Sequence, residues 1–586
     1  MKKILCIYSK SQNIERNQFK EVIDFFKDDI TKNAIQEFQD DKVILISKSS
    51  FSGYASFFEL NQTLFYHTGT FYPDFYPSEK KDIHEQKMIF FAEKYFKNGS
   101  KVIAQYNGFF NLIIYNKTTK ELQIANDPLG LFGIFIYEGD DFVIFCNEYE
   151  VIVKYLKEKA KLNINSIFEY FIFGSPQNNK TFFININLQI PGCIYYLKNN
   201  KLKIKNISPI LKISKNRKSI NEIADEYFHT FKTELNLLLK WHPLIPITLT
   251  GGADSRMILA SMDENERKRR EFITWTSPHI PNEENQDILI AKKLASEYNL
   301  NHTCVDNESY SINHIDNQYF KNLKNFNGNI ISGIIGSESL RFSSLYPYTI
   351  SEISRRYISS AKECYNYNSD FFIDLNDISS NKKALTKAIK FLIKYFNNIE
   401  IDKLRISPKN INRSIKHIRS PYPEMPYTLN YLTRSFFSKH GGGAKSSMLM
   451  PAIINRTLIS PFANPKLLKI LWGINPDFLS TSKDSLTTII FRKHLTDFCK
   501  ISSNSLIASN ENLVMPMFNE GKNNINYCVV KYSNIRLLFE NSYLKNNINL
   551  NKIEIESDIN NSETFAKSAW ADFLQWALYI ENILSL

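Results

Sequence analysis

The sequence predicts an antiparallel β-sandwich followed by a parallel α/β domain with a large helical extension. Short apolar runs rich in aromatic and β-branched residues, separated by Gly, Pro and Asn turns, fill residues 42–200. Runs of this kind are typical of strands in a sheet-rich domain. From about residue 221, strand-like runs alternate with helical patterns, which indicates a parallel sheet with crossover helices. From about residue 345, long helical patterns dominate.

The order of these patterns divides the chain into two domains, residues 1–205 and residues 221–586, with a polar linker at about 201–220. The predicted strands of the first domain are the run around Cys6 and then KVILIS, GFFNLIIY, ELQIAN, LFGIFIYE, DFVIFCNE and GCIYYLKN. The second domain opens with the strands PLIPITLT and REFITWTS, and the helices SRMILASMDENERKR and DILIAKKLASEYNL alternate with them. Helices are also predicted over 382–396 and from Glu563 to Leu586.

Composition excludes several classes of protein. The 586 residues are 43% hydrophobic and 14% aromatic, which excludes a disordered, collagen-like or coiled-coil chain. Seven cysteines without a C-x-x-C pair support neither a disulfide framework nor a zinc ribbon, so we expect a reducing, cytoplasmic setting. No run approaches the roughly 18 apolar residues of a membrane helix. The net charge of +12 comes from scattered Lys and Arg, which argues against a nucleic-acid-binding face.

The most informative segment is IPITLTGGADSRMILA, residues 245–260. An apolar strand ends at Thr250, Gly251 and Gly252 form a turn, and Asp254 and Ser255 open a helix. Glycines let the backbone approach an oxyanion, and free N–H groups at the start of a helix point at it. Thr250 and Ser255 add hydroxyl donors, and Asp254 is placed to hold Mg²⁺. The alternative is a plain strand-to-helix turn in which Asp254 and Ser255 only cap the helix.

This turn resembles the S-G-G-x-D-S loop of ATP pyrophosphatase domains, with Thr250 in place of Ser. Three later segments resemble the asparagine synthetase family in the same order. They are Asp287 with AKKLASEYNLNHTCV, in which His302 takes the family's His position; ISGIIGSESLRF, with Gly333, Gly336 and Glu338 kept and Ser337 near the expected Asp; and KSSMLMPAIINRTLISPFANPKLL, with Asn464 for the expected Asp. Residues 107–156 and 166–197 are similar to the glutaminase domain of that family.

The resemblance implies an Ntn-hydrolase-like β-sandwich joined to an adenine nucleotide α-hydrolase-like domain. It also implies that the glutaminase chemistry is missing, because that family uses an N-terminal Cys whereas Lys2 stands here and Cys6 lies inside a strand. Its Asn-Gly pair for glutamine corresponds to Thr68 and Gly69. The lysine that serves the second step of amide formation has no clear counterpart, since Ala508 lies near its place and Lys483, Lys493 and Lys500 are the nearest alternatives.

The implied activity is that of an ATP-dependent, AMP-forming amide ligase without glutaminase activity, as in the related β-lactam synthetases and lasso-peptide cyclases. Thr250, Gly251, Gly252, Asp254 and Ser255 would bind ATP, Asp254 and Glu338 would hold Mg²⁺, and Glu338 with Ser337 would be catalytic. The partners would be a small-molecule or peptide carboxylate and an amine, and a homodimer is compatible with the sequence.

Three interpretations of the function stay open. The chain is either this ligase, or a catalytically inactive relative that binds a ligand or partner, or a tRNA-modifying ATP pyrophosphatase. Arg256, next to the turn, is either an anion-binding or a packing residue, and His302 is either a packed histidine or part of the site.

Overall fold

The computed structural model describes the first 207 residues almost throughout and the rest of the chain in part. The described residues are 2–11, 13–28, 34–49, 57–76, 83–128, 130, 133–167, 176, 179–207, 218–243, 245–275, 285–305, 329–333, 336–340, 393–395, 457–472, 474, 478, 485–495, 545 and 548–561.

The strands of the described residues are β1 Lys2–Ser9, β2 Ala34–Gln39, β3 Val43–Ser49, β4 Phe58–Leu60, β5 Thr63–Gly69, β6 Tyr72–Pro73, β7 Tyr106–Asn107, β8 Phe110–Asn116, β9 Glu121–Asn126, β10 Phe135–Glu138, β11 Phe142–Cys146, β12 Ile186–Leu188, β13 Cys193–Lys198, β14 Lys201–Asn206, β15 Ile247–Thr248, β16 Glu271–Trp275, β17 Asn301–Val305, β18 Asn329–Ile331 and β19 Thr457–Ile459.

The α-helices are α1 Lys20–Asp28, α2 Ile83–Asn98, α3 Tyr149–Leu156, α4 Ile220–Trp241, α5 Ala253–Ser261, α6 Glu264–Arg269, α7 Gln286–Glu297, α8 Gly336–Leu340, α9 Pro465–Trp472, α10 Leu486–His494 and α11 Lys552–Asn561. Short 3₁₀ segments lie at Arg16–Phe19, Gly99–Gln105, Lys157–Lys159, Ile393–Tyr395 and Pro461–Ala463. Within the described ranges, no helix is long and apolar enough to cross a membrane.

The N-terminal domain is an Ntn-hydrolase-like sandwich of two six-stranded antiparallel sheets. The first sheet has the order β12-β10-β11-β1-β3-β2 and the second has the order β14-β13-β9-β8-β5-β4. Alternate residues of β1, namely Ile4, Cys6 and Tyr8, fill the space between the sheets, as expected where one face of a strand is buried. Helix α2 covers the outer face of the second sheet, and α3 packs on β10 and β11 of the first.

A five-stranded parallel sheet follows, in the order β17-β16-β15-β18-β19. Helix α4 precedes it and begins with a capping box, in which Ser219 and Glu222 bond each other's backbone. The sandwich and the parallel sheet predicted from the sequence are confirmed. The predicted helices at 382–396 and Glu563–Leu586 lie outside the described residues, apart from residues 393–395.

The prediction that residues 201–220 form a linker is wrong for the first six of them. Residues Lys201–Asn206 form the edge strand β14, which pairs with β13 through six successive positions. The alternation of lysines with Leu202 and Ile204 in KLKIKN is typical of an exposed edge strand, where charged side chains prevent pairing with another chain.

A buried carboxylate links α4 to the start of α9. Glu234 is 5% exposed and accepts hydrogen bonds from Asn464 Nδ2 at 2.9 Å and Lys466 Nζ at 2.6 Å. Asn464 Oδ1 also accepts from the backbone N–H of Lys466 at 2.8 Å, which caps α9. The amide at position 464 is therefore matched to Glu234, because its nitrogen supplies a donor that an aspartate lacks.

We expect Asn464→Asp to lower the free energy of unfolding by about 2 kcal/mol, because it places a second carboxylate against buried Glu234. Aspartate caps a helix as well as asparagine does, so the loss should come from the Glu234 side alone. Urea unfolding of Asn464→Asp, Glu234→Gln and the double variant measures it. The double variant should recover most of the loss, and an additive double variant would contradict this account.

Candidate functional site

The order of the parallel sheet places two loops side by side at its carboxyl edge. From β15 the chain moves outward through β16 and β17, and then returns to β18 on the other side of β15. This reversal is a topological switch point, where open parallel sheets leave a crevice outside their carboxyl ends. The loops that follow β15 and β18 border that crevice, and they are the glycine-containing segments predicted from the sequence.

The turn after β15 is held by hydrogen bonds within itself. Ser255 Oγ accepts from Thr250 N at 3.1 Å and lies 3.0 Å from Thr250 O and 3.1 Å from Gly252 O. Thr250 Oγ1 accepts from Gly252 N at 3.1 Å. Ser255 is 4% exposed, so its hydroxyl joins the two ends of the turn. The shape of the turn thus comes from the two hydroxyls that the sequence singled out.

Two charged side chains form hydrogen bonds with the backbone of the two glycines. Asp287 Oδ1 accepts from Gly251 N at 2.9 Å, and Arg256 Nε donates to Gly252 O at 3.4 Å. Burial raises the pKa of the Asp287 carboxyl, while the Gly251 bond and the Arg256 charge oppose that rise. Arg256 is 3% exposed, and its guanidinium carbon lies 6.0 Å from the ring centre of Phe491. Arg256 is therefore a packing residue of the turn rather than a surface residue.

Asp254 faces the loop that follows β18. A Cβ added to Gly336 would lie 2.5 Å from Asp254 Cγ, and one added to Gly333 would lie 2.9 Å from Asp254 Cβ. Only glycine permits this approach, because a closer contact than 3.0 Å forces atoms apart. The structure thus brings together the TGGADS and GIIGSE segments, which are about 80 residues apart in the sequence.

The other predicted site residues are only partly placed. Ser337 and Glu338 belong to α8, which starts at Gly336 against Asp254, but their side chains lie outside the described residues. Ala508, the position nearest to the family's lysine, is also outside them. Lys493, one of the nearest lysines, is bound to Asp225 on α4 at 2.8 Å. In the part of the chain that the structure describes, no group of three His, Cys, Asp or Glu side chains is placed to hold a metal.

Sequence reasoning did not assign Asp287 or Thr274 to the site. Asp287 was noted only as a match to a family segment, and nothing in its pattern indicated that it accepts from Gly251. Thr274, near the end of β16, donates to Leu249 O next to the turn. Thr274 reaches the turn from the neighbouring strand β16 and Asp287 reaches it from α7, so only the packing of these elements could have revealed them.

The N-terminal domain has a second feature, two tightly apposed turns at one end of the sandwich. Gly69 has φ +76° and Gly108 has φ +110°, and a Cβ on either would lie 2.0 Å from a carbonyl oxygen of the other turn. Thr70 N donates to Phe109 O at 2.7 Å, and Phe109 N donates to Thr70 Oγ1 at 3.0 Å. The Thr68-Gly69 pair therefore needs its glycine for a close backbone approach.

Polar side chains from three strands and from the segment after β12 form a row at the same end. Thr68 on β5 pairs with Asn111 on β8, which pairs with Asn126 on β9. Asn126 Oδ1 accepts from Cys193 N on β13 at 3.2 Å, and Gln189 Nε2 donates to Cys193 O at 3.2 Å. We call Thr68, Asn111, Asn126 and Gln189 the amide row. All four side chains are buried.

Three polar atoms of the amide row are buried. Asn111 Oδ1 and Gln189 Oε1, two acceptors, and Asn126 Nδ2, a donor, are buried and have no hydrogen-bond partner among the described residues. A buried polar atom without a partner costs about 1–3 kcal/mol.

The cysteines of the sandwich are buried structural residues. Cys6 and Cys146 are 0% exposed and Cys193 is 3% exposed. Burial raises the pKa of the Cys6 thiol far above its usual value and raises that of Cys193 to about 12. A thiol acts as a nucleophile only as its thiolate, so none of the three is prepared for attack.

One protein family matches part of the chain. The family described as the glutamine amidotransferase domain matches residues 90–207, so this part of the sandwich is a glutamine amidotransferase-class domain. None of the curated protein sequences matches the chain.

Two solved structures show a weak overall similarity. The structure of the allosteric regulatory enzyme of purine biosynthesis has a TM-score of 0.25 and 10% identity, and the match covers 42% of this chain and 60% of that one. Glutamine phosphoribosylpyrophosphate (PRPP) amidotransferase from B. subtilis, complexed with ADP and GMP, has a TM-score of 0.23 and 10% identity, with 52% and 65% covered. The chain thus spans less than two thirds of either protein, and similarity this low assigns no activity.

We expect Cys6 to resist alkylation in the native protein, because it is fully buried in β1 and its thiolate is disfavoured. Iodoacetamide at pH 8 followed by peptide mass spectrometry should show Cys6 modified at least about tenfold more slowly than Cys304, which is half-buried on β17. Both residues should react fully in guanidinium chloride. Rapid modification of native Cys6 would contradict its assignment as a structural residue.

Proposed function

We propose that the chain is an ATP-dependent, AMP-forming amide ligase resembling asparagine synthetase. The observation that carries this proposal is the close packing of Asp254 against Gly333 and Gly336 at the switch point of the sheet. It joins the two loops that the family resemblance assigns to ATP and to the reacting groups. The substrates would be a small-molecule or peptide carboxylate and an amine from a source other than this chain.

The residues of the turn suit the pyrophosphate of ATP and a Mg²⁺ ion. The first turn of α5 points its N–H groups toward the crevice, and Asp254 lies in that turn. Mg²⁺ is usually held by one or two carboxylates together with substrate phosphates and water, so a single Asp254 is a sufficient protein ligand set. Glu338, the third residue of α8, would be a second ligand.

In the proposed reaction a carboxylate oxygen attacks the α-phosphorus of ATP, and pyrophosphate leaves. The amine nitrogen then attacks the acyl carbon, loses a proton, and AMP leaves. Mg²⁺ would offset the charge of the phosphates. The protein's contribution is to orient the reactants and to stabilise developing negative charge. Thr250, Gly251 and Gly252 would shape the pyrophosphate site, Ser255 would keep that shape, and Glu338 with Ser337 would face the substrate.

We expect Asp254→Asn to weaken binding of Mg·ATP about tenfold, or ~1.4 kcal/mol, because it removes the carboxylate that holds the ion. Gly336→Ala should act similarly, because its Cβ displaces Asp254. Calorimetric titration of the purified chain with ATP and Mg²⁺ measures the affinities.

Asp263→Asn is the matched control, since Asp263 caps α6 and asparagine accepts the same Glu266 N–H. Equal affinities in parent and Asp254→Asn would place the nucleotide elsewhere. A parent that binds no ATP would favour the inactive ligand-binding relative over the ligase. If ATP binds, screening pairs of carboxylates and amines for AMP release identifies the substrates.

A second candidate function concerns the sandwich, which would bind a carboxamide without hydrolysing it. Its match to the glutamine amidotransferase domain favours a ligand with a primary amide. Hydrolysis needs an accessible thiolate or an equivalent nucleophile, and the thiols of the described sandwich residues are buried.

We expect the pure protein to release no glutamate from saturating glutamine above a buffer blank, with or without Mg·ATP. A coupled glutamate dehydrogenase assay measures it, with a known glutaminase as the positive control. Glutamate release that disappears in Cys6→Ser would show that Cys6 is a nucleophile after all and would overturn the proposal.

A further inference from the structure

The peptide that enters the Gly251–Gly252 turn is held at both of its ends by side chains. Its carbonyl, Leu249 O, accepts from Thr274 Oγ1 at 2.5 Å. Its N–H, on Thr250, donates to Ser255 Oγ at 3.1 Å. Strand β15 ends at Thr248, so the Thr274 hydroxyl extends the pairing with β16 by one position, where a further ladder bond would otherwise be missing.

His302 supports this hydroxyl from the next strand. Its Nε2 lies 2.8 Å from Thr274 Oγ1, and Phe272 and His302 are register partners on β16 and β17. A hydroxyl has one proton, and the short bond to Leu249 O uses it, so Thr274 accepts from His302. Nε2 therefore carries a proton. This holds for the neutral Nε2–H tautomer and for the imidazolium alike, so the bond persists through the titration of His302.

The side chains form a directed relay from His302 Nε2 through Thr274 Oγ1 to Leu249 O. Thr274 is 1% exposed and Leu249 is 0% exposed, so water does not compete for these bonds. The relay spans three neighbouring strands and ends one residue before Thr250. It acts on the backbone of the turn and touches none of the groups assigned to ATP.

We propose that Thr274 and His302 are positioning residues, which fix the Leu249–Thr250 peptide and thereby keep the Gly251–Gly252 turn in the conformation that binds ATP. The part of this inference that concerns ATP rests on the proposed function, whereas the part that concerns the turn does not. Neither residue would contact the nucleotide.

Hydrogen–deuterium exchange of the full chain without nucleotide tests the effect on the turn. Thr274→Val removes the hydroxyl and keeps the shape, so amides within residues 247–256 should exchange about tenfold faster, or ~1.4 kcal/mol. His302→Phe keeps a ring but removes the donor, and should give a smaller increase. Thr274→Ser restores the hydroxyl and should exchange as the parent does. Thr303→Val, which removes the hydroxyl of an exposed threonine next to His302 that bonds Glu271, is the matched control and should leave exchange within residues 247–256 unchanged.

Titration with Mg·ATP tests the consequence. The dissociation constant should rise about five- to tenfold in Thr274→Val and stay at the parent value in Thr274→Ser. Unchanged exchange of the turn in Thr274→Val overturns the proposal. So does exchange that rises equally in α4, since that would be a general loss of stability. If the parent binds ATP, an unchanged dissociation constant in Thr274→Val also overturns it. If the parent binds no ATP, the proposed function fails, and the exchange result alone decides the role of the relay.

Discussion

The Gly251–Gly252 turn depends on one constraint, that its backbone bonds are made by side chains rather than by a ladder. Ser255 Oγ joins the ends of the turn. Asp287 accepts a hydrogen bond from the N–H of Gly251, and Thr274 donates one to the carbonyl of Leu249. These three side chains come from α5, α7 and β16. The turn is thus correctly shaped only when the sheet and both helices are in place, which makes the site a consequence of the whole parallel domain.

Charge balance around the turn follows from the same arrangement. Two carboxylates, Asp254 and Asp287, lie within one small region of the sheet edge, and Arg256 is the buried cation beside Asp287. A buried arginine is stable only where carboxylates and carbonyl oxygens receive its donors. The charge of Arg256 opposes the rise that burial causes in the pKa of the Asp287 carboxyl, and Asp254 packs against the loop of Gly333 and Gly336.

Most of the fold could be predicted from the sequence, because its signals are local. The run KVILIS predicted β3 and the run DFVIFCNE predicted β11, since apolar runs of that length bounded by polar turns rarely form other structure. The loop at Thr250–Ser255 was also visible, since its glycines, hydroxyls and carboxylate are contiguous. Asp287, Thr274 and the amide row could not be predicted, because each depends on which strands are neighbours. Strand order is set by long-range packing that one sequence does not display.

The sandwich has a structural role that does not depend on catalysis. Tyr72, which follows β5, and Phe109, which precedes β8, lie in the hydrophobic core of the second domain, beside α4. The Trp241 indole at the end of α4 donates to Phe75 O at 3.0 Å.

Burying a large aromatic side chain contributes about 1.5–3 kcal/mol, so removing the sandwich would expose several such groups at once. The close apposition of Gly69 and Gly108 sets the path of the chain that presents Tyr72 and Phe109. The two apposed turns of the sandwich are therefore also the turns that pack against the core of the second domain.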